Sequence, residues 1–236
     1  MLELWELGGL GDCRYSTFSW RTRLALHHKG LSFAAHPVAI SDKGTIAFSG
    51  QTKVPIIRHG ERVVADSWAI ALYLEREFPD RPSLFGGATG EALTHVFNFW
   101  VDRELIPALI PYLVRDVTEC VEPADASHLR GQIESALKKS LEELAGERDK
   151  ALPAFRRKLQ PVRKALETRR FLGGETPAYA DHILFGLLQW ARVTSRAQVL
   201  EPGDAVAAWF ERALDLYDGV GRKERSRVER LRETAA

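Results

Sequence analysis

A small mixed α/β sheet followed by an all-helical region is the architecture this sequence predicts, and three observations carry it. Through residue 80 the hydrophobic pattern runs strand, helix, strand, irregular turn, strand, strand, helix. The stretch TKVPIIRHGERVVADSWAIALYLEREFPDRPSLF, from Thr52 to Phe85, holds a hairpin turning at His59-Gly60 and a helix starting at Asp66-Ser67. Beyond the proline- and glycine-rich segment 79–90, no convincing strand pattern returns. The strands flanking the first helix should be parallel and the hairpin strands antiparallel, which makes a mixed four-stranded sheet.

Leu2, Leu4 and Leu7 with Trp5 form a short apolar strand that stops at Gly8-Gly9. The loop GGLGD has neither the GKS or GKT ending of a phosphate-binding loop nor dinucleotide-binding spacing, so it reads as a turn. Helix 17–28 follows, with Trp20, Leu24 and His28 or Leu31 on one face and Lys29-Gly30 closing it. Ser32 to Ile40 forms a second strand whose Pro37 suits a sheet edge. Residues 41–53 are polar and turn-rich, with a helical turn expected at 45–48. In the third strand, Val54-Pro55 removes a backbone donor that a central strand needs, so the strand bulges or ends at something that uses its free backbone groups. Helix 67–78 then places Ile70, Leu74 and Phe78 on one face.

These patterns divide the chain into residues 1–85 and 91–236, with 86–90 as linker. The second part is expected as helices over 91–117, bent or divided by Pro107 and Pro111, then 126–146, 154–169, 180–194 and 203–217. The charged end, GRKERSRVERLRETAA, reads as a frayed, solvated helix.

Composition narrows the function classes. A net charge of +1 offers no general attraction to nucleic acid or an anionic membrane. The basic residues of the tail are interleaved with Glu224, Glu229 and Glu233 and carry no aromatics for base stacking. No apolar run approaches the roughly 18 residues of a membrane span, and MLELWEL lacks a basic leader, so a cytoplasmic location is expected. Cys13 and Cys120 have no zinc-site spacing, and His27 and His28 are adjacent on a helix, so no metal is expected. Asp66-Ser67 at a helix start offers a hydroxyl, a backbone N–H and the positive dipole end to a carboxylate.

In order and spacing, several motifs together resemble the glutathione transferase superfamily: Ser16-Thr17-Phe18 after the first strand, Val54-Pro55, Asp66-Ser67, and YADHILFGLLQW from Tyr179. The resemblance spans nearly the whole chain. WRTRLALHHKGL, VPIIRHGERVVADSWAIALYLEREFPDRPSLF, FLGGETPAYAD and DLYDGVGR look most like bacterial glutathione-dependent β-etherases of the lignin-degrading type and related fungal transferases. The resemblance implies a thioredoxin-like glutathione-binding domain, an all-helical domain that receives a hydrophobic or aromatic electrophile, and a homodimer.

It also implies roles for residues. Val54, before a cis Pro55, would pair its backbone with the cysteinyl part of glutathione, in keeping with strand addition at that place. Asp66 and Ser67 would hold the γ-glutamyl end, and Lys53 or Lys43 could meet the glycyl carboxylate. Ser16 would donate a hydrogen bond to the thiolate with the helix dipole behind it, although by its local sequence it is equally an ordinary helix cap. Phe97, Trp100 and Tyr112, with Tyr15 or Phe18 opposite, would line the electrophile pocket, where core packing is the plainer reading of each. Asp181 matches the family's buried capping residue, but Ala178 stands where a serine or threonine is common.

Two rivals follow from the residues. Cys13-Arg14-Tyr15-Ser16 has the spacing of a thioredoxin-type motif with its second cysteine replaced, and Arg14 could lower the Cys13 pKa, which would make a cysteine-type lyase or oxidoreductase. Against this, Ser16, not Cys13, precedes Thr17-Phe18, and Thr17 itself replaces the family's proline. The second rival is a non-catalytic protein that keeps the fold to bind a hydrophobic ligand.

Overall fold

The computed structural model describes residues 1–234. Strands β1 (Leu2–Leu7), β2 (Phe33–Val38), β3 (Ile56–His59) and β4 (Arg62–Ala65) form one sheet in the order β2-β1-β3-β4. β1 and β2 are parallel, and the β1/β3 and β3/β4 pairs are antiparallel, as the pattern predicts. Pro37 lies on the edge strand, where its missing N–H costs no ladder bond. Leu2 and Leu4 face the helices α1 (Thr17–His28) and α2 (Ser67–Glu77) in the main core, while Trp5 packs with Val38, Ile46 and Ile56 on the other face. Glu6 shares the Leu2/Leu4 face and is buried, which its ion pairs to Arg14 and Arg23 make tolerable.

The remaining elements are helical: α3 (Ala88–Trp100), α4 (Ile106–Thr118), α5 (Pro123–Leu137), α6 (Leu141–Gly146), α7 (Arg148–Lys158), α8 (Gln160–Leu166), α9 (Tyr179–Thr194), α10 (Ala205–Leu214), α11 (Leu216–Lys223) and α12 (Arg227–Thr234). Helix α3 begins at Ala88, inside the stretch expected as linker. The division expected near the prolines is a π turn over Val101–Leu105, in which Ile106 N–H reaches back to the Val101 carbonyl. Pro107 just beyond it has no N–H to continue regular α bonding, and Pro111 sits inside α4.

The single helix expected over 126–146 is two helices. Lys138 turns left-handed at φ 55°, and Ser140 with Glu143 forms a capping box that starts α6. The stretches expected as 154–169 and 203–217 are likewise divided, between α7 and α8 and between α10 and α11. The tail is docked rather than solvated. Arg227 pairs with Glu119 (2.8 Å), Arg192 of α9 reaches Glu229 (3.5 Å), and Arg230 pairs with Glu224. Residues 235–236 of that expected helix lie outside the described residues.

The sheet-bearing part meets the helical part along α1 and α9. A Cβ on Gly186 would stand 2.3 Å from the Thr17 carbonyl oxygen, so only glycine allows this approach. Beside it, the fully buried Arg21 donates to Asn98 (2.9 Å) and Asp102 (2.6 Å). Asp181 anchors α9 from below. Its carboxylate accepts from the N–H groups of Leu172 (2.8 Å), Gly173 (3.0 Å) and Ala178 (2.9 Å), and from Trp209 Nε1 (2.8 Å). Ala178 has no side-chain oxygen to accept from the Asp181 N–H, which donates instead to the Ala178 main-chain carbonyl (2.9 Å). Burial raises the Asp181 pKa, and the donors oppose that rise.

At the other end of α1 the hydrogen-bond roles are fixed by one carbonyl. His28 Nε2 faces the Ser83 oxygen (2.9 Å), which can only accept, so Nε2 carries the proton and Nδ1 accepts from the Tyr217 hydroxyl (2.9 Å). The Tyr217 oxygen then accepts from His182 Nε2 (2.8 Å), which leaves the buried His182 Nδ1 without a hydrogen-bond partner. Tyr217 reaches both rings from a left-handed turn, with φ 53°, 59° and 73° at Tyr217, Asp218 and Gly219.

Two outcomes follow from these contacts. Asp181→Ala, which strands four buried or half-buried donors, should cost about 3 kcal/mol in urea unfolding. Burial lowers the pKa of both His182 and His28, so the unfolded chain binds protons first and stability falls as pH drops below the ordinary histidine value of 6.5. Thermal midpoints at pH 7.5 and 5 should therefore fall further for the wild type than for His182→Gln. Equal falls would remove His182 from the acid response.

Candidate active site

The loop before α1 is held in place by backbone bonds. Gly9 sits so close to Cys120 that a Cβ would stand 2.3 Å from its carbonyl oxygen, and Leu10 N–H donates to that same oxygen (2.9 Å). Trp20 Nε1 donates to the Arg14 carbonyl (2.7 Å), which folds the loop back on the first turn of α1. Ser16 is thereby the N-cap of α1, and its Oγ accepts from Ser19 N–H (3.1 Å). It is 8% exposed. Accepting that bond uses an oxygen lone pair and leaves the hydroxyl hydrogen to donate, with the helix N-terminus behind it.

The second helix start is built from the hairpin. The Val54–Pro55 peptide is cis, and Asp66 N–H donates to the Pro55 carbonyl (3.3 Å). Asp66 adopts a positive φ of 77° with ψ 129°, and its carboxylate caps α2 by accepting from Trp68 and Ala69 N–H (both 3.0 Å). Ser67 is buried at the first helical position, and its carbonyl accepts from the Tyr179 hydroxyl (2.7 Å). Tyr179 and Gly186 are seven residues apart on α9, so α9 grips the N-termini of α2 and α1 at points about 10 Å apart along its axis.

Other expected site residues are dispersed. Lys53 is exposed, and Lys43 Nζ donates to the Thr52 carbonyl (2.9 Å) beside it. Phe18 is 39% exposed, with the Arg21 guanidinium 4.8 Å from its ring centre. Phe97 and Trp100 pack together on α3, ring centres 5.6 Å apart, both partly buried. Tyr112 lies under the Arg148 guanidinium of α7 (4.7 Å). Tyr15 departs from its expected place in a pocket wall: it is buried with Cys13, Ile40, Val117, Val121 and Val193, because the chain turns it inward behind the loop.

Cys13 also departs from expectation. It is 1% exposed, and both its contact with the Cys120 thiol and its burial raise its pKa. Arg14 does not face it. That guanidinium reaches Asp12 (2.7 Å) and Glu6 (3.4 Å). A Cys13 thiolate serving the site at Ser16 is therefore disfavoured. Three contributors to the site's frame carried no readable signal in the sequence: buried Arg21, Tyr179 as a clamp on Ser67, and Tyr217 between two histidines. Among the described residues, no group of three or more His, Cys, Asp or Glu side chains could hold a metal ion.

Ser16→Ala removes the α1 cap and should lower stability by about 1 kcal/mol. Urea unfolding separates this structural effect from any effect on turnover.

Two family profiles match the chain. The one described as glutathione S-transferase, N-terminal domain, covers residues 15–77, and the one described as glutathione S-transferase, C-terminal domain, covers residues 92–215. Glutathione S-transferase 1 of Dianthus caryophyllus is 33% identical over 141 residues, which are 56% of this chain and 63% of that protein. The probable glutathione S-transferase GSTU1 of Oryza sativa is 24% identical over 215 residues, covering 85% of this chain and 82% of the relative. Among solved structures, glutathione transferase GSTFuA3 from Phanerochaete chrysosporium superposes with a TM-score of 0.75 at 25% identity, covering 94% of each chain. FzlA from C. crescentus shares the fold at a TM-score of 0.68 and 17% identity, over 92% of this chain and 89% of that one. With one profile spanning more than half its length and the other matching the sheet-bearing part, this chain belongs to the glutathione S-transferase family.

Proposed function

We propose that the protein is a serine-type glutathione transferase that activates the glutathione thiol at Ser16 and directs it to a hydrophobic or aromatic electrophile. The observation that supports this most is the pair of helix starts held by α9. They are anchored about 10 Å apart, the length of an extended tripeptide (about 10 Å). In this reading Ser16 donates its hydroxyl hydrogen to the sulfur, and the N-terminal dipole of α1 adds positive potential, so the thiolate is favoured over the thiol. Val54, which has no backbone hydrogen bond among the described residues, pairs with the cysteinyl unit. Ser67, whose hydroxyl has no partner among the described residues, and Asp66 receive the γ-glutamyl end, and Lys53 meets the glycyl carboxylate.

In this reading residues 1–85 bind glutathione and residues 91–236 supply the electrophile pocket, to which Phe18, Phe97 and Trp100 would contribute aromatic surface. The preferred reaction is β-aryl ether cleavage, in keeping with the resemblance of the segments beginning at Trp20, Val54, Phe171 and Asp215 to bacterial β-etherases. The thiolate sulfur bonds to the carbon, and the aryl ether oxygen departs with the bonding electrons and takes up a proton. A homodimer would cover Leu93, Val96 and Phe99, exposed apolar residues on α3. No helix among the described residues is long and apolar enough to cross a membrane, and a cytoplasmic setting would keep the thiol substrate reduced.

Glutathione titration by calorimetry, followed by turnover of a general aryl halide and a β-aryl ether, tests this reading. Ser16→Ala should lower kcat about 100-fold while glutathione affinity changes by less than about threefold. Activity lost in Cys13→Ala but kept in Ser16→Ala would overturn the serine assignment. Tight binding of a hydrophobic ligand without turnover of any electrophile would instead identify a binding protein.

A further inference from the structure

Cys13 and Cys120 are both free, both buried, and come from opposite parts of the chain. The first lies in the loop before α1, the second just after α4. Their sulfurs lie against consecutive carbonyls of α9, Cys13 Sγ by Val193 (3.8 Å) and Cys120 Sγ by Thr194 (3.6 Å), while the Cys120 thiol also reaches the Asp116 carbonyl of α4 (3.3 Å). Each thiol shifts the other's pKa, so the two titrate as neighbours. Their backbones are stitched together, because Cys13 N–H donates to Leu10 (3.3 Å), and Leu10 N–H donates to the Cys120 carbonyl (2.9 Å). A cavity of about 260 Å³ borders both cysteines, and its wall carries Arg225, Arg227 and Arg230 against Glu119 and Glu233. Part of that wall is α12, whose Arg227, Arg230 and Glu233 form ion pairs with Glu119, Glu224 and Arg225.

We propose that Cys13 and Cys120 form a second reactive site, a dithiol that exchanges with a small anionic disulfide such as glutathione disulfide and closes a disulfide between the two parts of the chain. The arginines of the cavity suit the carboxylates of such a molecule, and opening of α12 admits it. The Cys13 thiol, with Arg227 and Arg230, lowers the Cys120 pKa against the opposing effect of burial, whereas the Cys120 thiol and burial both raise that of Cys13. Cys120 is therefore the attacking sulfur. It bonds to one sulfur of the small disulfide, whose S–S bond breaks and releases one thiolate. Cys13 then attacks the Cys120 sulfur of the mixed disulfide and expels the second small thiolate. The two cysteine protons pass to the two departing thiolates. The protein loses two electrons, and the small disulfide gains them as two thiols. No step uses Ser16.

The test treats the whole reduced protein with excess glutathione disulfide and reads intact mass, free thiols and oligomeric state under non-reducing conditions. The wild type should lose two hydrogens in mass and both free thiols, remain a single chain on a non-reducing gel, and carry no glutathionyl adduct. Cys13→Ser should stop with one adduct on Cys120, and Cys120→Ser should react at least about tenfold more slowly. Far-ultraviolet circular dichroism before oxidation checks that both variants are folded. A persistent adduct on the wild type, a disulfide between chains, or thiols that react only in denaturant would each overturn the proposal. These readouts are independent of transferase turnover.

Discussion

The close contact of α1 with α9 is the constraint on which the rest of this structure depends. It requires a residue without a side chain at Gly186, because the Thr17 carbonyl occupies the space a Cβ would take. Once the backbones are this close, Arg21 is sealed from water. Its charge is tolerated because Asn98 and Asp102 accept from the two amino groups of the guanidinium, from α3 and the π turn, although Nε has no hydrogen-bond partner among the described residues. The π turn is in turn the consequence of Pro107 in the next element. One packing contact thus ties the first turn of α1, where Ser16 lies, to three elements of the helical part.

The same helix serves a second purpose through Tyr179. Its hydroxyl on the Ser67 carbonyl places the start of α2 relative to the start of α1, so two positive helix ends share one rigid support. Asp181, buried beneath, keeps the first turn of α9 in register by accepting from the loop before it and from Trp209. Burial that would otherwise be costly is concentrated where geometry matters most. The His28–Tyr217–His182 chain repeats this at the far end of α1, with neutral groups whose donor order is dictated by the Ser83 carbonyl.

Much of this was legible in residue order. Helix 17–28 coincides with α1 because Ser16 caps it and Lys29-Gly30 ends it, and the His59-Gly60 turn sets the hairpin. The edge position of β2 was readable from Pro37. Ser140-Leu141-Glu142-Glu143 was also a readable capping signal for α6, hidden by the continuous helical propensity around it. The inward turn of Tyr15 and the burial of Cys13 were not readable, because neighbouring loop residues can face either way until an opposite wall exists. That wall is Val117, Val121 and Val193, more than a hundred residues away.

Periodicity, capping residues and prolines act over a few residues, so the sequence by itself determined the order of elements through α2, the sheet pairing and the two helix starts that carry Ser16 and Ser67. Burial and charge pairing are sums over atoms distant in the chain, so only the tertiary structure decided the rest. It sets Arg21 on Asn98 and Asp102 and turns Arg14 to Glu6 instead of Cys13. It brings Cys13 beside Cys120, and it converts the charged tail into a helix docked on α9.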